Sequence, residues 1–87
     1  MDTRYRILTE DVNREGLLRI LGQRFQSYAV LTADGGWLGK PERSICIEID
    51  GTEAERSAVQ DMAREIKKLN RQDAVLVTEE PIRAYLI

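Results

Sequence analysis

The sequence predicts one α+β domain over residues 1–87, with strand–helix–strand–strand–helix–strand order. Three observations carry that expectation. Ile45, Ile47 and Ile49 alternate with Cys46, Glu48 and Asp50, which is the period of a half-buried strand. Thr52 followed by Glu55 makes a capping box, and Ala58, Val59, Met62, Ala63, Ile66 and Leu69 follow it at helical spacing. The chain has 87 residues, enough for a single domain.

Taken in order, Arg4 to Thr9 alternates around Tyr5, Ile7 and Thr9 and reads as the first strand. Glu10, Asp11 and Asn13 break the pattern and suit a helix start. Leu17, Leu18, Leu21 and Phe25 give residues 13–24 an apolar face, although Gly16 and Gly22 weaken the helix. Gln26 to Ala33 is the second strand, with Tyr28, Val30 and Thr32 on one face and Ala29, Leu31 and Ala33 on the other. Asp34-Gly35-Gly36, then Gly39 and Pro41, punctuate the chain and predict a long connection over residues 34–42. Residues 42–50 form the third strand and 53–70 the second helix. Ala74-Val75-Leu76-Val77, within Asp73 to Thr78, is a continuous apolar run of the kind found in a buried central strand, ended by Pro81. Residues 82–87 are too apolar for a free tail and are expected to dock as a short extra strand or against a partner. Right-handed crossovers of two such halves give a ferredoxin-like fold, a four-stranded antiparallel sheet with both helices on one face.

Composition removes many chemistries. Histidine is absent and Cys46 is the single cysteine, so no intramolecular disulfide forms and imidazole-dependent zinc, haem and nucleophilic sites fall away. No cofactor is implied. A net charge of −2 argues against nucleic acid as the main partner. The RNA-binding use of this fold stacks bases on aromatics of the first and third strands, where this chain offers only Tyr5. No apolar run approaches a membrane span, the opening residues carry no signal-peptide pattern, and a lone thiol suits a reducing compartment. A cytoplasmic location is therefore expected. Glu10, Asp11, Glu42, Glu48 and Asp50 could in principle assemble an acid/base or metal site, but their spacing does not require one.

The stretch from Asp34 to Glu42 has unusual composition, with three glycines around one tryptophan. Gly35, Gly36 and Gly39 permit close approach of backbone to a ligand. Trp37 offers a stacking surface, Lys40 and Arg43 can face an anion, and Glu42 can accept from a base edge, ribose hydroxyl or amine. Gln72, just before the last strand, adds a hydrogen-bonding amide. Two readings stand: a loop that holds a nucleotide-sized anionic ligand, or a long hairpin whose tryptophan folds back over the core.

The combination of Tyr28-Ala29-Val30-Leu31, Gly36-Trp37-Leu38-Gly39-Lys40-Pro41-Glu42-Arg43-Ser44, Ile47-Glu48-Ile49, Ala63 and the run from Ile66 through Asn70-Arg71-Gln72-Asp73-Ala74-Val75-Leu76-Val77-Thr78 resembles a group of small proteins carried by phages and mobile elements. That group shares a Gly-x-Trp-x-Gly-x-x-Glu loop and an Asn-x-Gln-x-x-Val-Leu-Val strand. More distantly the chain is similar to signalling proteins of the PII type, though without their long basic loop. The resemblance implies the ferredoxin-like fold, a nucleotide held between subunits, and an accessory, anti-defence kind of role. The expected function is thus a non-enzymatic module, a homo-oligomer that holds a small anionic ligand such as a nucleotide. The alternative is a protein-interaction module that blocks a host protein, with a carboxylate-dependent hydrolase a third class.

Overall fold

A computed structural model describes residues 2–87; Met1, part of the expected domain, lies outside the described residues. The elements run β1 (Asp2–Glu10), α1 (Arg14–Arg24), β2 (Ala29–Trp37), β3 (Lys40–Gly51), a 3-10 turn (Glu53–Glu55), α2 (Arg56–Leu69) and β4 (Leu76–Ile82). The four strands form one sheet in the order β2-β3-β1-β4, with each neighbouring pair antiparallel. This is the ferredoxin-like arrangement that the periodicities predict.

Strand register follows the alternation. Ile7 stands between Ile47 on β3 and Val77 on β4, and Val30 of β2 continues the row. Tyr5, Ile7, Ile45, Ile47 and Ile49 turn to the helices and are buried. They meet Leu17 and Leu21 of α1 and Val59, Met62, Ala63 and Ile66 of α2. Leu18, assigned to the apolar face by spacing, is instead 38% exposed. The Tyr5 hydroxyl donates to the Thr52 carbonyl at 2.6 Å, so a buried phenol is satisfied and the end of β3 is tied to β1.

Both helices start as their caps direct. Asn13 accepts from the Gly16 N–H at 3.1 Å. The Thr52–Glu55 capping box forms, but it first closes a 3-10 turn, from which α2 continues. Hydrogen bonds from the Thr52 backbone N–H and hydroxyl hold the Glu55 carboxyl below its ordinary range. A lowered carboxylate pKa means this support is present above the usual carboxylate pKa and fades as acid carries the pH through the lowered value.

Three expectations need correction. The connection over residues 34–42 is not a long loop. β2 runs through Gly35 and Gly36 to Trp37, which pairs with Lys40, leaving only Leu38 and Gly39 as the turn. Both take positive φ, 52° and 78°, as a tight primed hairpin turn requires. β4 is an edge strand rather than a buried central one, and it runs through Pro81, which pairs with Thr3. An edge tolerates proline because one row of its N–H groups needs no ladder partner. Residues 83–87 carry no strand, and Tyr85, Leu86 and Ile87 are largely exposed.

Leu38 is 84% exposed in a backbone region that penalises leucine, so nothing offsets its strain. Leu38→Asn is expected to stabilise the protein by about 1 kcal/mol. Thermal denaturation should show this as a rise of roughly 4–8 °C for a domain of this size.

Candidate functional site

The face of the sheet away from the helices is open. Arg4 pairs with Asp50 at 2.9 Å, and Arg6 bridges Glu48 at 2.8 Å and Glu80 at 3.0 Å, which makes a charge ladder across β3, β1 and β4. Beyond it lies an apolar row, Leu31, Cys46, Leu8 and Leu76, one residue from each strand. Burial first, then the charge of Glu48, pushes the Cys46 thiol up, which makes it a poor nucleophile.

At the end of this face lies a cleft of about 290 Å³. Leu8 and Leu76 supply apolar lining. The β2–β3 hairpin contributes Gly35, Gly36, Trp37, Glu42 and Ser44, β1 contributes Glu10, and the α2–β4 connection contributes Arg71, Gln72, Asp73 and Ala74. Strand alternation explains the grouping. Glu10 pairs with Ser44 and Gly35 pairs with Glu42, so their side chains leave the sheet on one face. Trp37 shares that face at 48% exposure, so it does not fold back over the core. Gly35 is required for a close approach: a Cβ there would stand 2.6 Å from Ser44 Oγ, and Ser44 is buried.

Gln72 is held by a small network. Its Oε1 accepts from Thr9 Oγ1 and, at 3.2 Å, from Asn70 Nδ2. Asn70 Nδ2 also lies 3.3 Å from Thr9 Oγ1 and 3.3 Å from the Glu10 carbonyl. With Oε1 so engaged, the amide N–H₂ is the end of Gln72 without a partner among the described residues. Arg71 follows the last turn of α2 with φ 54°. Its N–H donates to the Lys68 carbonyl at 3.3 Å, and that of Gln72 to the Lys67 carbonyl at 3.0 Å, the paired bonds of a Schellman helix end. That position usually holds glycine, and here it holds an arginine that lines the cleft.

Of the residues nominated from sequence, Gly35, Gly36, Trp37, Glu42 and Gln72 therefore come together. Gly39, Lys40 and Arg43 do not line the cleft. Gly39 and Lys40 lie at the hairpin tip, and Arg43 leaves β3 on the helix side, two residues from Ile45. Among the other carboxylates, Asp11, Glu48 and Asp50 are taken up by Arg14, Arg6 and Arg4. No group of acids among the described residues could hold a metal ion. The sequence pattern did not single out Arg71 and Asp73 as cleft residues and left Glu10 among the scattered acids; the first-strand alternation of Tyr5, Ile7 and Thr9, which puts Leu8 and Glu10 on the other face, was the signal for Glu10.

No protein-family profile and no curated protein sequence matches the chain. Solved structures do. A DUF3240 family protein from Shewanella baltica OS155 superposes with a TM-score of 0.79 at 10% identity, over 99% of this chain and 94% of that one. CPII, a nitrogen regulatory PII-like protein from Thiomonas intermedia K12 bound to ADP, AMP and bicarbonate, has a TM-score of 0.67 at 12% identity, covering 98% and 96%. A phage SAM lyase in complex with S-methyl-5′-thioadenosine has a TM-score of 0.63 at 14% identity, covering 91% and 80%. The chain thus shares its fold with PII-like proteins. At these identities the likeness is one of fold alone.

Proposed function

We propose that this protein is a non-enzymatic binding module that holds a small anionic ligand of nucleotide type in the cleft beside Trp37. The observation that carries the reading is the convergence of a half-exposed indole, an arginine, Arg71, that has no ion-pair partner among the described residues, and a pre-oriented amide at Gln72 as lining of one concavity. The base stacks on Trp37, Arg71 takes the phosphate, and Glu42 or Glu10 accepts from hydroxyl or amine donors. The nucleotides bound by CPII, on the same fold, lend support. The cleft lacks histidine, an activated thiol and a metal-ligating cluster among the described residues, which favours binding over turnover.

The cleft sits on the open sheet face, and both sheet edges, β2 and β4, lack a partner strand among the described residues. Assembly of copies through the β2 or β4 edge, which the cleft adjoins at Trp37 and Leu76, puts the ligand at or near a subunit interface, and assembly through an edge or through residues 82–87 widens the thin stability margin of a short chain. With the resemblance to phage-borne proteins, the reading becomes sequestration of a host signal in the cytoplasm. A second reading, a module that blocks a host protein, is favoured by the exposed apolar residues Leu31 and Leu76 on the open face.

The test is native mass spectrometry of protein purified from its expression host, together with a thermal-shift screen of mono-, di- and cyclic nucleotides. A homo-oligomer with a retained small molecule, and a melting temperature raised by at least one nucleotide, is the expected result. Ligand at about 100 times its dissociation constant adds roughly 2.7 kcal/mol of stability. A ligand-free species that no nucleotide stabilises passes the case to the protein-interaction reading.

A further inference from the structure

The charges in the cleft are unbalanced. Glu10, Glu42 and Asp73 line it, and none of them is in an ion pair among the described residues. Ser44 Oγ, 3.3 Å from Glu42 Oε1, is the one side-chain donor any of the three carboxylates has. Against them stands the single guanidinium of Arg71. One guanidinium can pair bidentately with one phosphate, and every further phosphate meets the repulsion of the carboxylates, which salt screens because Arg71 and Asp73 are exposed. Size points the same way. A cleft of about 290 Å³ sits at the bottom of the roughly 300–1,000 Å³ range of small-molecule sites.

We infer that the cleft selects a nucleoside monophosphate and turns away the corresponding triphosphate. This rests on reading the cleft as a ligand site and narrows the ligand class. The three carboxylates accept from sugar hydroxyls and from an amine on the base, and the Gln72 amide donates to a ring nitrogen or carbonyl. Arg71 is what makes the monophosphate better than the bare nucleoside. An arginine replaces the usual glycine at the left-handed helix end, a strained backbone position that brings a cationic residue into the cleft lining.

Trp37 is the sole tryptophan, so intrinsic fluorescence reads the cleft directly. Adenosine, AMP and ATP are titrated into the wild-type protein at low and high salt. AMP is expected to bind tightest, with ATP weaker than AMP by about tenfold or more at low salt and the gap narrowing at high salt. Glu42→Gln combined with Asp73→Asn should bring ATP towards AMP. Arg71→Gly should bring AMP down to adenosine while raising the melting temperature, because glycine relieves the left-handed strain. Loss of AMP preference in a more stable variant cannot come from misfolding. ATP binding as tightly as AMP overturns the charge selection and leaves the ligand site standing. Adenosine binding as tightly as AMP overturns the role of Arg71. If no probe changes either the fluorescence or the melting temperature, the ligand site itself fails and the selection falls with it.

Discussion

Ile47→Ala is expected to cost about 2–5 kcal/mol, the range for truncating a fully buried aliphatic side chain. Ile47 is fully buried at the centre of the sheet, between Ile7 of β1 and Val30 of β2, in one core cluster with residues of both helices. The cost has two parts: the hydrophobic transfer of three lost carbons and the cavity left where neighbours cannot collapse. Neighbours on two strands and the helices above are held by their own packing, so relaxation is limited. A domain's whole stability is typically about 5–15 kcal/mol, so this single change consumes a large share of it. Urea unfolding should show a lower midpoint with an unchanged slope, since the same surface is exposed on unfolding. A midpoint within error of wild type would mean that the β1–β3 register is wrong.

Trp37→Ala is expected to do the reverse: to leave stability within about 1 kcal/mol, as at exposed positions, and to weaken binding. Trp37 is large but half-exposed, and it faces the open side of the sheet, away from the core. Stacking of a base on an aromatic ring contributes about 1–3 kcal/mol, so the variant should lose roughly tenfold or more in nucleotide affinity. The measurements are thermal denaturation without ligand and calorimetric titration with AMP. A loss of about 3–5 kcal/mol in the absence of ligand is the signature of a buried tryptophan and would assign the indole to the core instead.

Legibility from sequence depended on whether one local pattern decided the outcome. Ile45, Ile47 and Ile49 could only be a half-buried strand, and the Thr52–Glu55 box could only open a helical segment; both stand as read. Ala74 to Val77 misled because an unbroken apolar run looks the same whether both faces are buried or one side chain turns to a cleft. Leu76 does the latter, at 56% exposure. Gly35 and Gly36 suggested a loop because glycine commonly supplies positive φ. Here neither takes a positive φ, and Gly35 serves the close approach of Ser44 across the hairpin. In the site, Trp37, Glu42 and Gln72 stood out by composition around the hairpin and before β4. Arg71 and Asp73 did not, because their proximity to Glu10 depends on the left-handed residue that turns the chain after α2, and that conformation carries no signature when the residue is arginine.

The most direct measurement of the central claim is a two-dimensional NMR titration of the isotope-labelled protein with AMP. Shifts are expected to concentrate at the Trp37 indole N–H, the Gln72 side-chain amide, and the backbone amides of Gly35, Gly36 and Arg71, with the helix-side core unmoved. Shifts that cluster on another surface, or an unperturbed Trp37 indole at saturating AMP, would contradict it.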